Sequence, residues 1–417
     1  MGKRNFKYVM IALLSLVLVT AACSQSQNNQ GDNGDQQGNE ENITIEFGYW
    51  GNETVLKAYE YAVEGLDEVV PGVTVKFVQF PSDSEFWDSL PSRIVANTAP
   101  DIVNITNERY LEFINGGLIL PLDENEFDMS NISQSAKDIW TVDGKLYGFP
   151  YTAAPAGFVV NLDLWEEAGL TEEDLPKTWQ EVREAAEILT KDDVYGLTID
   201  IDSEFHLTQY ALSFGGGWGE GTTIDSPENA KAMDYIINMF KDRLAVSPKQ
   251  LGQDWDGAVF ASGKAAMSTG GIWYMSNLAA AAPDMNYKII PVPQVDPEAP
   301  AETMHSDAFV ALKHTKHPDI VMKVINYMAR KDFQDYAMKN RGIVPSDVTI
   351  SDQFYEMNPR VARLQEAVEY SVSFGYPPQT YKFTNSMINA IGSAIYQNDS
   401  KMTGQDVVKL AAQDFNQ

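Results

Sequence analysis

Two apolar rhythms take turns along this chain from Asn42 onward, and they restrict the folds open to it. Ile43, Ile45, Phe47 and Tyr49 recur every second residue, the period of a strand with one face buried. Leu56, Tyr59, Val63, Leu66 and Val70 then recur at spacings of three and four, the period of a helix that Pro71 and Gly72 stop. Val73, Val75 and Phe77 return to the strand period, and Ile102, Val103 and Ile105 follow Pro100 and Asp101 as a short buried strand. Thr178 with Glu181 makes a capping box that opens a helix through Val182, Ala186 and Leu189, and Ser226 with Pro227 opens another through Met233, Ile237 and Phe240. Strands alternating with helices predict an α/β protein. Pro91 falls inside the helical pattern from Ser82 to Asn97 and is expected to kink or split it. The globular part runs to about 375 residues, more than one core usually serves, so two domains are expected.

Ahead of this body, Lys3, Arg4 and Lys7 precede a short apolar run from Tyr8 that closes on LVLVTAAC. A basic start, an apolar core and small residues before a cleavage point form a secretory signal, and a membrane span would need about 20 apolar residues. The run resembles the bacterial lipoprotein signal, with Ala21 and Ala22 before Cys23 and Thr20 in place of the usual leucine. Residues 1–22 are therefore expected to be removed and Cys23 to carry a lipid. Cys23 is the one cysteine in the chain, so no disulfide framework is available and stability has to come from packing. Residues 24–41, SQSQNNQGDNGDQQGNEE, offer nothing apolar to offset the entropy of ordering and are expected to be a disordered tether, with an end-to-end distance of roughly 23 Å. The expected location is the outer face of the cytoplasmic membrane.

The chain carries 59 acidic and 30 basic residues, a net charge of −29, and losing Lys3, Arg4 and Lys7 with the signal takes it to −32. Such a body repels phosphate backbones and anionic lipid, which speaks against a nucleic-acid partner. Catalytic and metal motifs fail on their spacing. Gly257 to Lys264 has one residue too many for a phosphate loop, and Ala265 stands where Ser or Thr is needed. The cluster Gly215, Gly216, Gly217, Gly219 and Gly221 does not register as a dinucleotide fingerprint and reads as a mobile loop. Asp200, Asp202 and Glu204 have calcium-loop spacing, but Phe205 replaces the turn glycine and Ala211 the bidentate carboxylate. His314 and His317 have no third ligand in view and precede a helix starting at Pro318, where a structural or capping role is expected. No metal, cofactor or catalytic group is assigned. The abundance of carboxylates keeps a surface glycoside hydrolase or lyase open as the alternative.

Four segments together resemble the extracellular solute-binding proteins of ABC importers, in the mainly sugar-binding branch. They are ANTAPDIVNIT (Ala96 to Thr106); DGKLYGFPY (Asp143 to Tyr151) with FVVNLDLWEEAGL (Phe158 to Leu170) and PKTWQEV (Pro176 to Val182); FASGKAAMSTGGIW (Phe260 to Trp273); and the run from Ala308 to Pro345. The resemblance implies a two-lobed, periplasmic-binding-protein-like α/β fold of type II with a ligand cleft between the lobes. It puts residues 42–150 and 305–346 in one lobe and residues 151–304 and 347–417 in the other. It implies a monomer that closes on a carbohydrate and docks on two permease subunits served by a cytoplasmic ATPase. A polyol, peptide or phosphodiester is the alternative cargo.

A sugar needs flat apolar faces for its C–H side and planar polar groups for its hydroxyls. Trp273 follows Gly270, Gly271 and Ile272 at the position where the family often sends an aromatic into the cleft, with Tyr274 beside it. Trp50 ends the first strand, Trp218 sits in the glycine loop, and Tyr151 lies at the first crossing between lobes. Asn107 and Glu108 follow a strand at its carboxyl end, where open α/β sheets place ligands. Asp307 sits at the second crossing, and Arg341, near the third, either forks onto two hydroxyls or caps a helix. Asp254 and Trp255 complete the candidates. His305, Ser306 and Asp307 stand where many relatives carry glycines. Cys23→Ser is expected to abolish incorporation of labelled fatty acid into the protein in its native host; label retained by that variant contradicts the anchor.

Overall fold

The computed structural model describes residues 42–397 and 401–417, so the signal, Cys23 and the tether lie outside the described residues. Among the described residues no helix is long and apolar enough to cross a membrane. Two five-stranded sheets organise the body. The first runs, edge to edge, through Val73–Phe80, Ile43–Trp50, Ile102–Thr106, Asp307–Ala311 and Phe149–Pro150. Its first three strands are parallel and the last two join antiparallel to their neighbours. The second runs through Ala245–Val246, Tyr195–Thr198, Ala265–Gly270, Gly157–Asn161 and Tyr287–Ile290, again with three parallel strands and an antiparallel remainder. Each sheet has its own apolar core and forms one lobe. Strands Ile102–Thr106, Asp307–Ala311, Gly157–Asn161 and Ala265–Gly270 are buried at every residue. That is the burial of strands covered on both faces, which read as apolar runs with little alternation.

Between the lobes, short strands Ala154–Pro155, Glu302–His305 and Ser371–Val372 form a third sheet. Three crossings of the chain lie side by side there. Tyr151 N donates to Asp307 O at 3.0 Å, Ser346 N to Tyr151 O at 3.2 Å, and Ala153 N to Val344 O at 3.1 Å. Asn107 clamps the middle crossing, its Nδ2 donating to Met304 O and its Oδ1 accepting from Ser306 N, both at 2.9 Å. Ser306 Oγ donates to Thr152 O at 2.7 Å, and Thr152 Oγ1 accepts from Asp307 N at 2.7 Å.

Three local expectations change. The helix expected through Val70 is two, Glu53–Ala62 and Leu66–Val69, because Gly65 between them adopts a left-handed conformation. Pro91 sits inside an unsplit helix, Asp83–Val95. Its ring is exposed, while Phe86, Leu90 and Ile94 on the opposite face anchor both halves in the core. The glycine cluster is pinned rather than mobile. The fully buried Asn229 accepts from Gly217 N at 2.9 Å and donates to Gly217 O, Thr223 O and Ile224 O at 2.9, 2.8 and 3.2 Å. A Cβ on Gly216 would stand 2.2 Å from Asn229 Oδ1, so the loop wraps the amide as closely as a backbone allows. Asn229→Ala strands these buried backbone groups and is expected to cost about 2–4 kcal/mol in urea unfolding; a loss below about 0.5 kcal/mol contradicts the pinned loop.

Candidate binding cleft

The carboxyl end of strand Ile102–Thr106 leads into Asn107, Glu108 and Arg109, where the first lobe meets the second. Trp50, half-buried at the end of the first strand, packs on Phe86 with ring centroids 4.6 Å apart and lies 6.0 Å from Trp87. Arg109 sets its guanidinium 5.8 Å over the Trp87 ring and places Nε 3.4 Å from Glu204 Oε1, an ion pair that spans the two lobes. Glu204 opens helix Glu204–Ser213, and Phe205 meets the half-buried Trp273 edge to face at 5.2 Å. The Trp273 ring lies 5.4 Å from His305, whose Nδ1 is 3.6 Å from Glu108 Oε1 and whose Nε2 is 3.8 Å from Asp307 Oδ1. Beside this cluster runs a groove of about 640 Å³, bordered by Asn107, Glu108 and Ile139 of one lobe and by Phe374 and Tyr376 of the other. Aromatic faces next to fixed carboxylates can take the apolar and hydroxylated sides of a neutral polar ligand together.

The orientation of Trp273 follows from the glycines before it. A Cβ on Gly271 would stand 2.2 Å from the Trp273 ring, and one on Gly270 would stand 2.5 Å from the Tyr274 ring, so both rings fold back over bare backbone. Tyr274 is then fixed from beneath. Its hydroxyl donates to Asp256 Oδ2, which also accepts from Ser268 Oγ at 2.8 Å. Asp256 Oδ1 lies 3.2 Å from His206 Nε2, and His206 Nδ1 is 2.7 Å from Thr269 Oγ1. Burial alone would lower the pKa of His206, but the Asp256 charge and hydrogen bond, with Asp200 and Glu204, raise it above the ordinary value. Burial would raise Asp256, and His206, Tyr274 and Ser268 hold it below. Burial pushes Asp200 up to about 6. Asp200, His206 and Asp256 bring three potential ligand atoms within 4.8 Å of one another, but His206 and Asp256 already pair with each other.

The raised His206 contributes stability that is complete below its unfolded pKa and lost as pH rises through its folded one. The depressed Asp256 contributes stability that is present above its unfolded pKa and lost as pH falls through its folded one. The pair is therefore worth most between these limits. Asp256→Asn is expected to cost about 3–5 kcal/mol near neutral pH and to remove the decline on the alkaline side; urea unfolding across pH checks both, and an unchanged alkaline decline contradicts the assignment to His206.

The other candidates fall in different places. Trp218 is buried in the second core, donating to Thr208 Oγ1 at 2.8 Å and packed on Phe383, because Asn229 draws its loop inward. Tyr274 is likewise fully buried and supports Trp273 from the core. Tyr151 is buried at the first crossing, where its hydroxyl meets Asn104 Oδ1 at 2.9 Å, Tyr59 Oη at 3.1 Å and Asp307 Oδ2 at 3.4 Å. Arg341 neither caps a helix nor forks into open space; it donates to Tyr151 Oη at 3.1 Å and stacks over Tyr59. Asn107 borders the groove, but its amide is engaged by the middle crossing. Trp255 packs edge-on to Tyr274, and Asp254 stands exposed before it. Glu108, Asp307 and Trp273 meet around His305 where the lobes come together, while Trp50 packs on Phe86 and Trp87 of its own lobe. Arg109, Glu204, Phe205 and Phe374 join them without a local sequence signal, beyond the adjacency of Arg109 to Glu108.

The chain matches the bacterial extracellular solute-binding protein family over residues 50–335. Among curated relatives, the maltodextrin-binding protein MdxE of Bacillus subtilis is 27% identical over 354 residues, 80% of this chain and 78% of that one. The arabinooligosaccharide-binding protein of the same organism is 23% identical, over 67% of this chain and 65% of that one. Among solved structures, an ABC substrate-binding protein of Listeria monocytogenes in complex with cycloalternan shares the fold, with a TM-score of 0.79, 20% identity and coverage of 89% of this chain and 98% of that one. A solute-binding protein of Thermotoga lettingae bound with alpha-D-tagatose gives a TM-score of 0.78 at 21% identity, with the same coverage. The chain belongs to the bacterial extracellular solute-binding proteins, and it is a binding protein rather than an enzyme.

Proposed function

We propose that this protein is the sugar receptor of an ABC importer, tethered through Cys23 to the outer face of the cytoplasmic membrane. It captures a sugar or oligosaccharide between a lobe of residues 42–150 and 305–346 and a lobe of residues 151–304 and 347–417. The observation that carries this reading is the meeting, at one lobe interface, of the Trp273 and Phe205 rings with Glu108, Asp307 and Glu204. Sugar recognition is further supported by relatives named for maltodextrin and arabinooligosaccharide. Trp273 and Trp50 supply the stacking faces, and Glu108 and Asp307 accept hydroxyls. Tyr151, backed by Arg341, holds Asp307, and Asn107 holds the middle crossing in place. A ligand that touches both lobes binds the closed form better than the open one, and that difference supplies the shift in population. The closed form docks on the permease subunits, and the cytoplasmic ATPase drives opening and release. Affinity near micromolar corresponds to about −8 kcal/mol.

Neutral mono- and oligosaccharides, screened by thermal melting of residues 24–417, test the reading. A ligand at a hundred times its Kd adds about 2.7 kcal/mol, which raises the melting point of lobes this size by roughly 5–10 °C. Trp273→Ala is expected to weaken binding of the sugar so found at least tenfold, about 1.4 kcal/mol, with the unliganded melting point within a few degrees of wild type. No shift with any sugar overturns the cargo, and unchanged affinity in Trp273→Ala overturns the site.

A further inference from the structure

Asp200, His206 and Asp256 come from three elements of the second lobe and converge beside Tyr274, the neighbour of Trp273. Asp200 follows strand Tyr195–Thr198, His206 lies in the first turn of helix Glu204–Ser213, and Asp256 begins helix Asp256–Ala261. Each offers one ligand atom, and the three lie within 4.8 Å of one another, the only such group of His, Asp and Glu side chains among the described residues. In a chain with 59 acidic residues, chance groups of this kind belong on the surface; this one is buried at His206 and Asp256 and half-buried at Asp200. Each member is also oriented by a neighbour. His206 Nδ1 is 2.7 Å from Thr269 Oγ1, Asp256 Oδ2 accepts from the Tyr274 hydroxyl and from Ser268 Oγ, and Asp200 Oδ1 accepts from Asp202 N at 3.1 Å. Thr198, two residues ahead of Asp200 and beside Ser268 in the sheet, has a buried hydroxyl with no hydrogen-bond partner.

One imidazole nitrogen and two carboxylate oxygens are a donor set for a divalent first-row ion, and the same atoms hold zinc more tightly than manganese. Around a tetrahedral zinc with bonds of about 2.0–2.1 Å, donor atoms stand roughly 3.3 Å apart. His206 Nε2 and Asp256 Oδ1 are 3.2 Å apart, a spacing that suits two ligands of one ion as well as it suits a pair sharing a proton. Hydrogen bonds behind metal ligands fix the ring and carboxylate directions, and Thr269, Ser268, Tyr274 and the Asp202 amide stand in those positions. Asp202 and Glu204 turn instead to Lys249 and Arg109. We propose that Asp200, His206 and Asp256 form a structural zinc site in the second lobe, with water in the fourth position. The ion enters on the half-buried Asp200 side, and that carboxylate swings by roughly 1–1.5 Å to complete the set. The proton that His206 Nε2 shares with Asp256 leaves to solvent, so the ion takes the place of the pair found in the metal-free chain. It ties helices Glu204–Ser213 and Asp256–Ala261 to the end of strand Tyr195–Thr198, and its bound water gives the Thr198 hydroxyl a partner. The site stands whether or not the cargo is a sugar.

Residues 24–417, stripped of metal with a chelator, are titrated calorimetrically with zinc chloride, and with cobalt chloride as the spectroscopic probe. The wild type is expected to bind one equivalent of zinc with a Kd of about 1 μM or tighter, to melt at least about 3 °C higher with zinc in excess, and to give cobalt the visible absorption of a tetrahedral nitrogen and oxygen site. Asp200→Asn leaves the contact of His206 with Asp256 in place, so its metal-free melting point is expected to stay within a few degrees of wild type while zinc affinity falls at least tenfold, about 1.4 kcal/mol. His206→Gln is expected to abolish the cobalt absorption. His314 and His317, set three residues apart in the other lobe, are the control for adventitious binding, and replacing both with Gln is expected to leave zinc binding unchanged. Absence of stoichiometric zinc binding by the wild type, unchanged affinity in Asp200→Asn, or loss of binding in the His314 and His317 double variant each overturns the proposal.

Discussion

The side chain of Asn107 ties Met304 and Ser306 to the end of the Ile102–Thr106 strand, and the architecture of the cleft hangs from that clamp. Two lobes with separate cores could pack in many ways if only apolar surface joined them. Here the crossings are joined by directional bonds, with Ser306 reaching Thr152, Thr152 reaching Asp307 and Tyr151 meeting both Asp307 and Ser346 through the backbone. Nearly all of these groups are buried, where an unmade hydrogen bond costs about 1–3 kcal/mol, so the crossings keep their register. Farther out, the lobes meet through contacts such as the partly buried ion pair of Arg109 and Glu204.

The second lobe meets this strip with a surface that is also fixed from below. Asp256 gathers His206, Ser268 and Tyr274, which come from a helix, a strand and the helix that carries Trp273. The ring facing the cleft is therefore backed by a charge pair rather than by a flexible loop. Pre-set aromatic and acidic groups reduce the ordering that a ligand would otherwise have to supply, and affinity gains accordingly.

What could be read from the chain divides by the range of the interaction. Strands such as Ile43–Trp50 and Ile102–Thr106, and the caps at Thr178 and Ser226, depend on neighbours a few residues away and stand in the sequence openly. Trp273 was legible because Gly270 and Gly271 precede it. Trp218 was not, since the glycines around it suggest motion, and the residue that pins them, Asn229, lies inside the following helix. Tyr151 and Arg341 look like hydroxyl partners in isolation; their partnership joins residues 190 positions apart, and no local pattern records it. His305 appears in the chain only as a departure from glycine, and its neighbours Glu108 and Asp307 meet it only in space.

Small-angle X-ray scattering of residues 24–417, with and without saturating amounts of the sugar that gives the largest melting shift, tests closure most directly. If capture occurs by hinge closure, the radius of gyration falls on binding and the liganded curve matches lobes in contact through Arg109 and Glu204. A bound sugar that leaves the scattering curve unchanged contradicts closure and describes instead a rigid receptor with a preformed groove.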